Sequence, residues 1–224
     1  MSVVGGQVLP IYFVADESGS MGSVVGEMNV GLRSLHDALQ LESMAAAKVR
    51  FGIIGFDDAA VCHLDLCDLR TLDKMPTLSA RGSTAYTAAF RDLRSRIDRD
   101  VTRLKSEGYA VHRPAVFFLS DGQPDADGWE SALAELKSES FKRRPNIVAF
   151  GIGGADPATI VKVASKPEFA FQAAVGSDTG VAIAKFLETL TNSVVSSGQA
   201  LASGKGELPI EKPDGFVMAV DLLD

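Results

Sequence analysis

Residues 11–22 read Ile-Tyr-Phe-Val-Ala-Asp-Glu-Ser-Gly-Ser-Met-Gly. An apolar run stops at Asp16, and Ser18 and Ser20 follow at alternate positions before Gly22 lets the backbone turn away. The run from Leu9 to Ala15 is continuous and rich in β-branched and aromatic residues, the pattern of a strand covered on both faces. If the loop leaves that strand nearly extended, alternation points Asp16, Ser18 and Ser20 the same way. One carboxylate and two hydroxyls then converge on one point. All three are hard oxygen donors, suited to Mg²⁺, Mn²⁺ or Ca²⁺ rather than zinc.

Outward from this loop the chain alternates strands and helices. Val25, Met28, Leu32, Leu35 and Leu39 recur at three- and four-residue intervals and predict a core-facing helix. Val49 to Phe56 reads as a second buried strand, with Ala60 to Leu66 returning as a hairpin edge strand after Asp57-Asp58. An irregular connection over 67–82 leads to a helix from about Thr84 to Lys105. Ala115 to Leu119 is a strand whose apolar run again ends at a carboxylate, in Ser120-Asp121-Gly122. Asp127 and Glu130 have the spacing of a capping box opening a helix to about Phe141, with Lys142, Arg143 and Arg144 at its C-terminus, where cations favour the macrodipole. Ile147 to Gly151 and Phe169 to Ala173 are further strands. Pro157 opens a short helix to Ala164, and a last helix covers about 181–194, capped by Ser177 or Asp178.

This order predicts an α/β fold: a doubly wound, mainly parallel sheet with one antiparallel edge strand and helices on both faces. Residues 1–195 read as one domain. Residues 196–224 shift to Ser, Gly, Pro and charge and read as a tail, whose Phe216 to Leu223 run can dock. The net charge of -7 and a pI near 5.0 argue against a nucleic-acid partner. The first basic residue is Arg33, so a secretory n-region is not evident, and no run is apolar enough for a membrane span. Cys62 and Cys67, five apart on one expected strand, face opposite sides and are poorly placed to bridge. The expectation is a cytoplasmic protein.

In a doubly wound sheet ligands collect at the carboxyl ends of the strands, where strand order reverses. The polar punctuation falls there: Asp16, Ser18 and Ser20 after the first strand, Ser120 and Asp121 after the strand at 115–119, and Gly82-Ser83-Thr84 before the long helix. Two carboxylates and three hydroxyls from three loops suit Mg²⁺, which keeps several waters and is rarely caged wholly by protein. Asp-Glu-Ser-Gly-Ser at 16–20, Gly-Ser-Thr at 82–84 and Ser-Asp-Gly at 120–122 resemble the three parts of the metal-ion-dependent adhesion site of von Willebrand factor A-type domains. The resemblance spans roughly residues 8–195. It implies Asp16, Ser18 and Ser20 as ligands from the first loop, Thr84 from the second and Asp121 from the third, with an Asp or Glu of a protein partner as the last ligand. Ser120 to Asp125 followed by Trp129 is similar to the small bacterial tellurium-resistance-associated (TerY-like) A-domains. That similarity implies a bacterial tellurite or stress setting and kinase- or phosphatase-like partners.

Other readings compete at several positions. Thr84 suits a helix N-cap, Asp121 a turn, and Trp129 either an interface anchor or a staple between loop and helix. The Gly151-Ile-Gly-Gly run lacks dinucleotide spacing and reads as a tight turn. Mixed Arg and Asp over 91–103 read as an ion-paired helix face. His36, His63 and His112 share no ligand spacing and receive no role. A phosphotransferase using Asp16 needs a second carboxylate two positions on, where Ser18 stands. A serine-hydrolase elbow needs glycine where Ser18 precedes Ser20. The reading is therefore a binding module and not an enzyme, with a metal-dependent phosphotransferase or a metal-independent scaffold as alternatives.

Overall fold

The computed structural model describes residues 6–122, 124–125, 128–204 and 210–223. The first strand, β1 (Gln7–Asp16), is exposed only at its first residue. Successive side chains enter opposite layers, so the unbroken apolar run becomes two half-cores. Ile11, Phe13 and Ala15 join one hydrophobic cluster with Met28, Leu32, Ile183 and Phe186. Tyr12 and Val14 join the other, with Tyr86, Phe90, Trp129 and Ile160.

The elements follow in the order α1 (Val25–Leu41), α2 (Ser43–Ala46), β2 (Val49–Phe56), β3 (Ala60–Cys67), α3 (Tyr86–Ser106), β4 (Ala110–Val111), β5 (Ala115–Ser120), α4 (Trp129–Lys137), β6 (Asn146–Gly151), α5 (Pro157–Val163), β7 (Ala170–Ala173), α6 (Thr179–Ala202) and β8 (Phe216–Met218). The sheet runs β3-β2-β1-β5-β6-β7-β8, with β4 a short addition to β1. β1 pairs in parallel with β2 on one side and β5 on the other. The chain therefore winds away from β1 in both directions, and strand order reverses between β1 and β5. That reversal opens a crevice at their carboxyl ends.

β3 is antiparallel to β2, as the hairpin reading expects. The far edge carries a second antiparallel pair, between β7 and β8, formed by the segment after residue 196. Phe216 of β8 is buried, with its ring edge-on to Phe150 at 5.9 Å, so the apolar run expected to dock is held by tertiary burial as an edge strand. α6 extends to Ala202, well past the expected end near Val194.

Several local expectations need correction. α4 ends at Lys137 with Ser138 as C-cap in an extended conformation, so it stops short of Phe141. Lys142, Arg143 and Arg144 consequently lie beyond the helix. The expected cap Asp127 lies outside the described residues. At the N-cap position stands Gly128, at φ 77°. α3 begins at Tyr86 with Ala85 at the cap, leaving Thr84 outside the helix and making no cap. At α5 and α6 the caps are Asp156 and Asp178, whose carboxylates accept from backbone amides of the first turn. Cys62 and Cys67 are free thiols.

Candidate metal centre

Asp16 is the last residue of β1 and is fully buried. Its Oδ1 accepts from the Ser18 amide at 2.8 Å, and its Oδ2 accepts from the Ser120 hydroxyl at 2.5 Å. The loop does not stay extended after Ser18. A 3₁₀ turn over Gly19–Ser23 swings Ser20 round, and convergence is reached through that turn instead of through strand alternation. The Ser18 and Ser20 hydroxyls meet at 3.0 Å, and Ser20 donates to Asp121 Oδ1 at 2.8 Å. A Cβ placed on Gly122 would sit 3.5 Å from Thr84 Oγ1 and 4.0 Å from Asp16 Oδ2. Thr84 thus faces the same point as the first and third loops. All five residues expected at the site come together.

The electrostatics of this cluster are unusual. Burial pushes the Asp16 carboxyl up to about 6; its hydrogen bonds from Ser120 and Ser18 pull the other way, and the nearby Asp121 charge adds to the rise. Burial also raises Asp121, against the pull of the Ser20 hydrogen bond. No Lys or Arg among the described residues lies within ion-pair distance of either carboxylate. Two desolvated acids without a cation are costly unless a cation is added. The Tyr86 hydroxyl is also buried and has no hydrogen-bond partner among the described residues. Burial lifts its pKa, the neighbouring Ser120 hydroxyl pulls it back in part, and the charges of Asp16 and Asp121 lift it further. Such an orphan is the usual mark of a missing water or ion. Among the described residues no cluster of three or more His, Cys, Asp or Glu is present, so any ion held here depends on hydroxyl donors.

Sequence reasoning missed two participants. Ser120 orients Asp16, although the reading of its loop assigned only Asp121. Glu17, whose side chain leaves the opposite face from Asp16, is buried and fastens three segments together. Its Oε2 lies 2.7 Å from His63 Nε2 on β3, its Oε1 accepts from the Ser79 amide at 2.9 Å, and its carbonyl accepts from the Arg81 amide at 2.6 Å. The space for that pair comes from Gly55 on β2, where a Cβ would lie 1.8 Å from Glu17 Oε2. His63 therefore has a structural task. Asp57 completes the frame, its carbonyl accepting from the Ala85 amide at 2.9 Å and its Oδ2 from Arg81 Nε at 2.9 Å. Burial alone would raise Asp57, but the Arg81 hydrogen bond and charge, together with backbone hydrogen bonds from Ala59 and Asp58, outweigh it and hold the carboxyl below its usual range.

Trp129 is 6% exposed and packs edge-on against Tyr86 at 5.6 Å. It is a staple between α4 and α3 and not a surface anchor.

The fold has close counterparts among solved structures. The pilus adhesin SpaC from Lactobacillus rhamnosus GG superposes with a TM-score of 0.65 at 15% identity, over 85% of this chain but only 30% of the adhesin. The vWF domain of the type V pili tip protein Mfa5 from Porphyromonas gingivalis matches over 92% of this chain and 98% of its own length, with a TM-score of 0.54 at 9% identity. Proximal thread matrix protein 1 from the mussel byssus, in a structure with a zinc-occupied MIDAS motif, gives a TM-score of 0.52 at 19% identity, over 86% of this chain and 46% of that protein. At these identities the likeness is one of fold. No curated protein matches the chain. The model of the von Willebrand factor type A domain family matches residues 11–185, a span that contains all three loops of the cluster. The chain belongs to the von Willebrand factor type A domain family.

Proposed function

We propose that this chain is a divalent-metal-dependent protein-binding module. In this reading Asp16, Ser18, Ser20, Thr84 and Asp121 hold the ion, and an Asp or Glu of a protein partner completes its shell. The observation that carries the reading is the buried Asp16 carboxylate beside the half-buried Asp121 carboxylate, with no basic partner among the described residues and three hydroxyls beside them. A dication would offset that charge. Hard oxygen donors favour Mg²⁺, with Mn²⁺ or Ca²⁺ next. The zinc reported in the mussel protein makes Zn²⁺ the fourth ion to test. Ser18 stands where a phosphotransferase acid would be, which supports binding over catalysis.

The TerY-like placement, the tellurite or stress setting and the kinase- or phosphatase-like partners belong to the same proposal and rest on Ser120 to Asp125 with Trp129, whereas a cytoplasmic site rests on the absence of an evident charged n-region before Arg33 and on the two poorly placed cysteines. The division into a domain over 1–195 and a following segment rests on composition. Among the described residues no helix is long and apolar enough to cross a membrane.

Calorimetric titration of Mg²⁺ into the wild type and Asp16→Ala tests the site. Heat in the wild type that disappears in the variant supports it, and equal heats, or none in either, sink it. A pull-down with and without chelator then identifies the partner and its metal dependence together. Metal-dependent turnover of a generic phosphoester, abolished by Asp16→Asn, would establish the enzyme alternative instead.

A further inference from the structure

The pole of the molecule opposite the metal loop carries positive charge of which the fold uses only part and the proposed metal site none. At the amino-terminal end of the sheet two cavities of about 150 and 140 Å³ adjoin, and both are lined by Arg113. The first takes its basic lining from Lys105, His112, Arg113, Lys142 and Arg143. The second adds Lys137, Arg144 and Lys166, together with the polar side chains of Asn146 and Ser165. Seven of the chain's 22 Lys and Arg residues therefore line two small cavities, in a protein of net charge -7, and no carboxylate lines either one.

Part of this charge has structural work. The Lys137 ammonium donates to the Lys162 and Ala164 carbonyls at 2.9 and 2.6 Å, closing the C-terminus of α5. Arg143 donates to Asp98 Oδ1 at 2.7 Å and to Thr102 Oγ1 at 2.6 Å, both on α3. Arg144 and Lys166 have long contacts to exposed carboxylates, at 3.9 and 3.7 Å, and such pairs add little; Arg144 also makes a 3.5 Å contact to the Glu139 carbonyl, and the Lys166 ammonium lies 5.3 Å from the Phe169 ring centre. Lys105, Arg113 and Lys142 have no carboxylate within 4.0 Å among the described residues. The pull of helix C-termini on cations does not account for them all. Arg113 lies in the segment entering β5, and Lys142 lies five residues past the end of α4.

We propose that these adjoining cavities form a site for a small phosphate-class anion carrying two or more negative charges, with Arg113 shared between its two anionic groups. A guanidinium presents a planar fork that matches a phosphate's oxygens, and the flanking ammonium groups supply charge without demanding fixed geometry. Two confined cavities also differ from the long basic stripe that a nucleic-acid backbone needs. Asn146 gives the second cavity a neutral amide donor that chloride uses less well than phosphate, while the Ser165 hydroxyl is engaged with the Ile147 amide and the Pro145 carbonyl.

The test is calorimetric titration of pyrophosphate, and separately of inorganic phosphate, into the full chain in chelator-containing buffer, so that no divalent ion bridges anion and protein. Saturable binding of pyrophosphate, tighter than that of inorganic phosphate, is expected. Arg113→Gln should weaken it about tenfold, the worth of one charge-assisted hydrogen-bonding group, and Lys142→Gln should weaken it by less. Arg33→Gln, which removes the same charge from exposed α1 surface, should leave it unchanged. Circular dichroism of each variant confirms the fold. No saturable heat, equal affinity in all three variants, or binding reproduced by chloride at the same ionic strength would overturn the site. None of these outcomes bears on the metal reading, which is measured by Mg²⁺ heats at Asp16.

Discussion

The Ser120 hydroxyl donates to Asp16 Oδ2 at 2.5 Å, and the bond joins the terminal residues of β1 and β5, the two strands between which strand order reverses. It is the strongest anchor of a carboxylate that burial would otherwise neutralise. Ser120→Ala removes the donor and leaves a buried acceptor short of a partner, which costs about 1–3 kcal/mol. Chemical denaturation in chelator should show a loss of that size. Mg²⁺ affinity should fall too, because the oxygen facing the other loops is no longer held. Unchanged affinity would mean that the Ser18 amide alone orients Asp16.

The Asp16 carboxyl sets a pH dependence whose sign follows from its shift. Its pKa is 3.8 in the unfolded chain and about 6 when folded without metal, so the folded state binds the proton more tightly. The charged form therefore costs stability above pH 6, and the cost fades as pH falls from 6 towards 3.8. In chelator, Asp16→Asn should be more stable than wild type at pH 7 by about 1–3 kcal/mol, and the gap should close by pH 4. Mg²⁺ binding must expel the same proton, so apparent affinity should be flat above pH 7 and fall roughly tenfold per unit well below 6. Calorimetry across pH 5–8 measures both. A wild type more stable than Asp16→Asn at pH 7 without metal would remove the electrostatic case for the site.

The architecture and the five convergent residues were legible in the sequence because both depend on local pattern. Unbroken apolar runs mark strands covered on both faces, and a polar residue at each run's end marks the crevice. What could not be read depends on contacts between distant residues. Ser20 reaches Asp121 through a 3₁₀ turn, for which Gly-Ser-Met-Gly carries no distinctive signal. Glu17 carries no local signal of its role, because its partners His63 and Ser79 lie 46 and 62 residues away. Gly55 could have hinted at it, since a glycine inside an otherwise bulky strand often marks a close approach. The segment at Phe216 was too short to read as a strand without knowing that β7 leaves an open edge for it.

The pairing of Gly55 with Glu17 can be tested by a double-mutant cycle. Gly55→Ala places a Cβ 1.8 Å from Glu17 Oε2 and 2.6 Å from His63 Nε2. Either the backbone shifts or Glu17 is expelled, releasing the Ser79 segment that leads to Thr84. Overpacking of this kind costs about 1–3 kcal/mol, and Mg²⁺ affinity should drop with it. In Glu17→Ala the same Gly55→Ala change should cost much less, because the clashing carboxylate is gone. Additive losses across the cycle would show that the two positions do not interact.

The strand after residue 210 supplies the last test. β8 hydrogen-bonds to β7 in antiparallel register, Phe171 opposite Met218 and Ala173 opposite Phe216. Phe216 is 2% exposed and joins the same cluster as Phe150, Phe171 and Phe186. Phe216→Ala should therefore cost about 3–5 kcal/mol, the price of emptying a buried aromatic site. Removing residues 210–224 should do more, because it also bares the hydrogen-bonding edge of β7, and exposed edges promote association. Light scattering and thermal denaturation of both variants test this. β7 lies at the opposite side of the sheet from the β1–β2 region, so the Phe216→Ala protein, at temperatures where it stays folded, should retain wild-type Mg²⁺ affinity. A truncated chain as stable and monodisperse as the full one would show that β8 is not part of the folded sheet in solution.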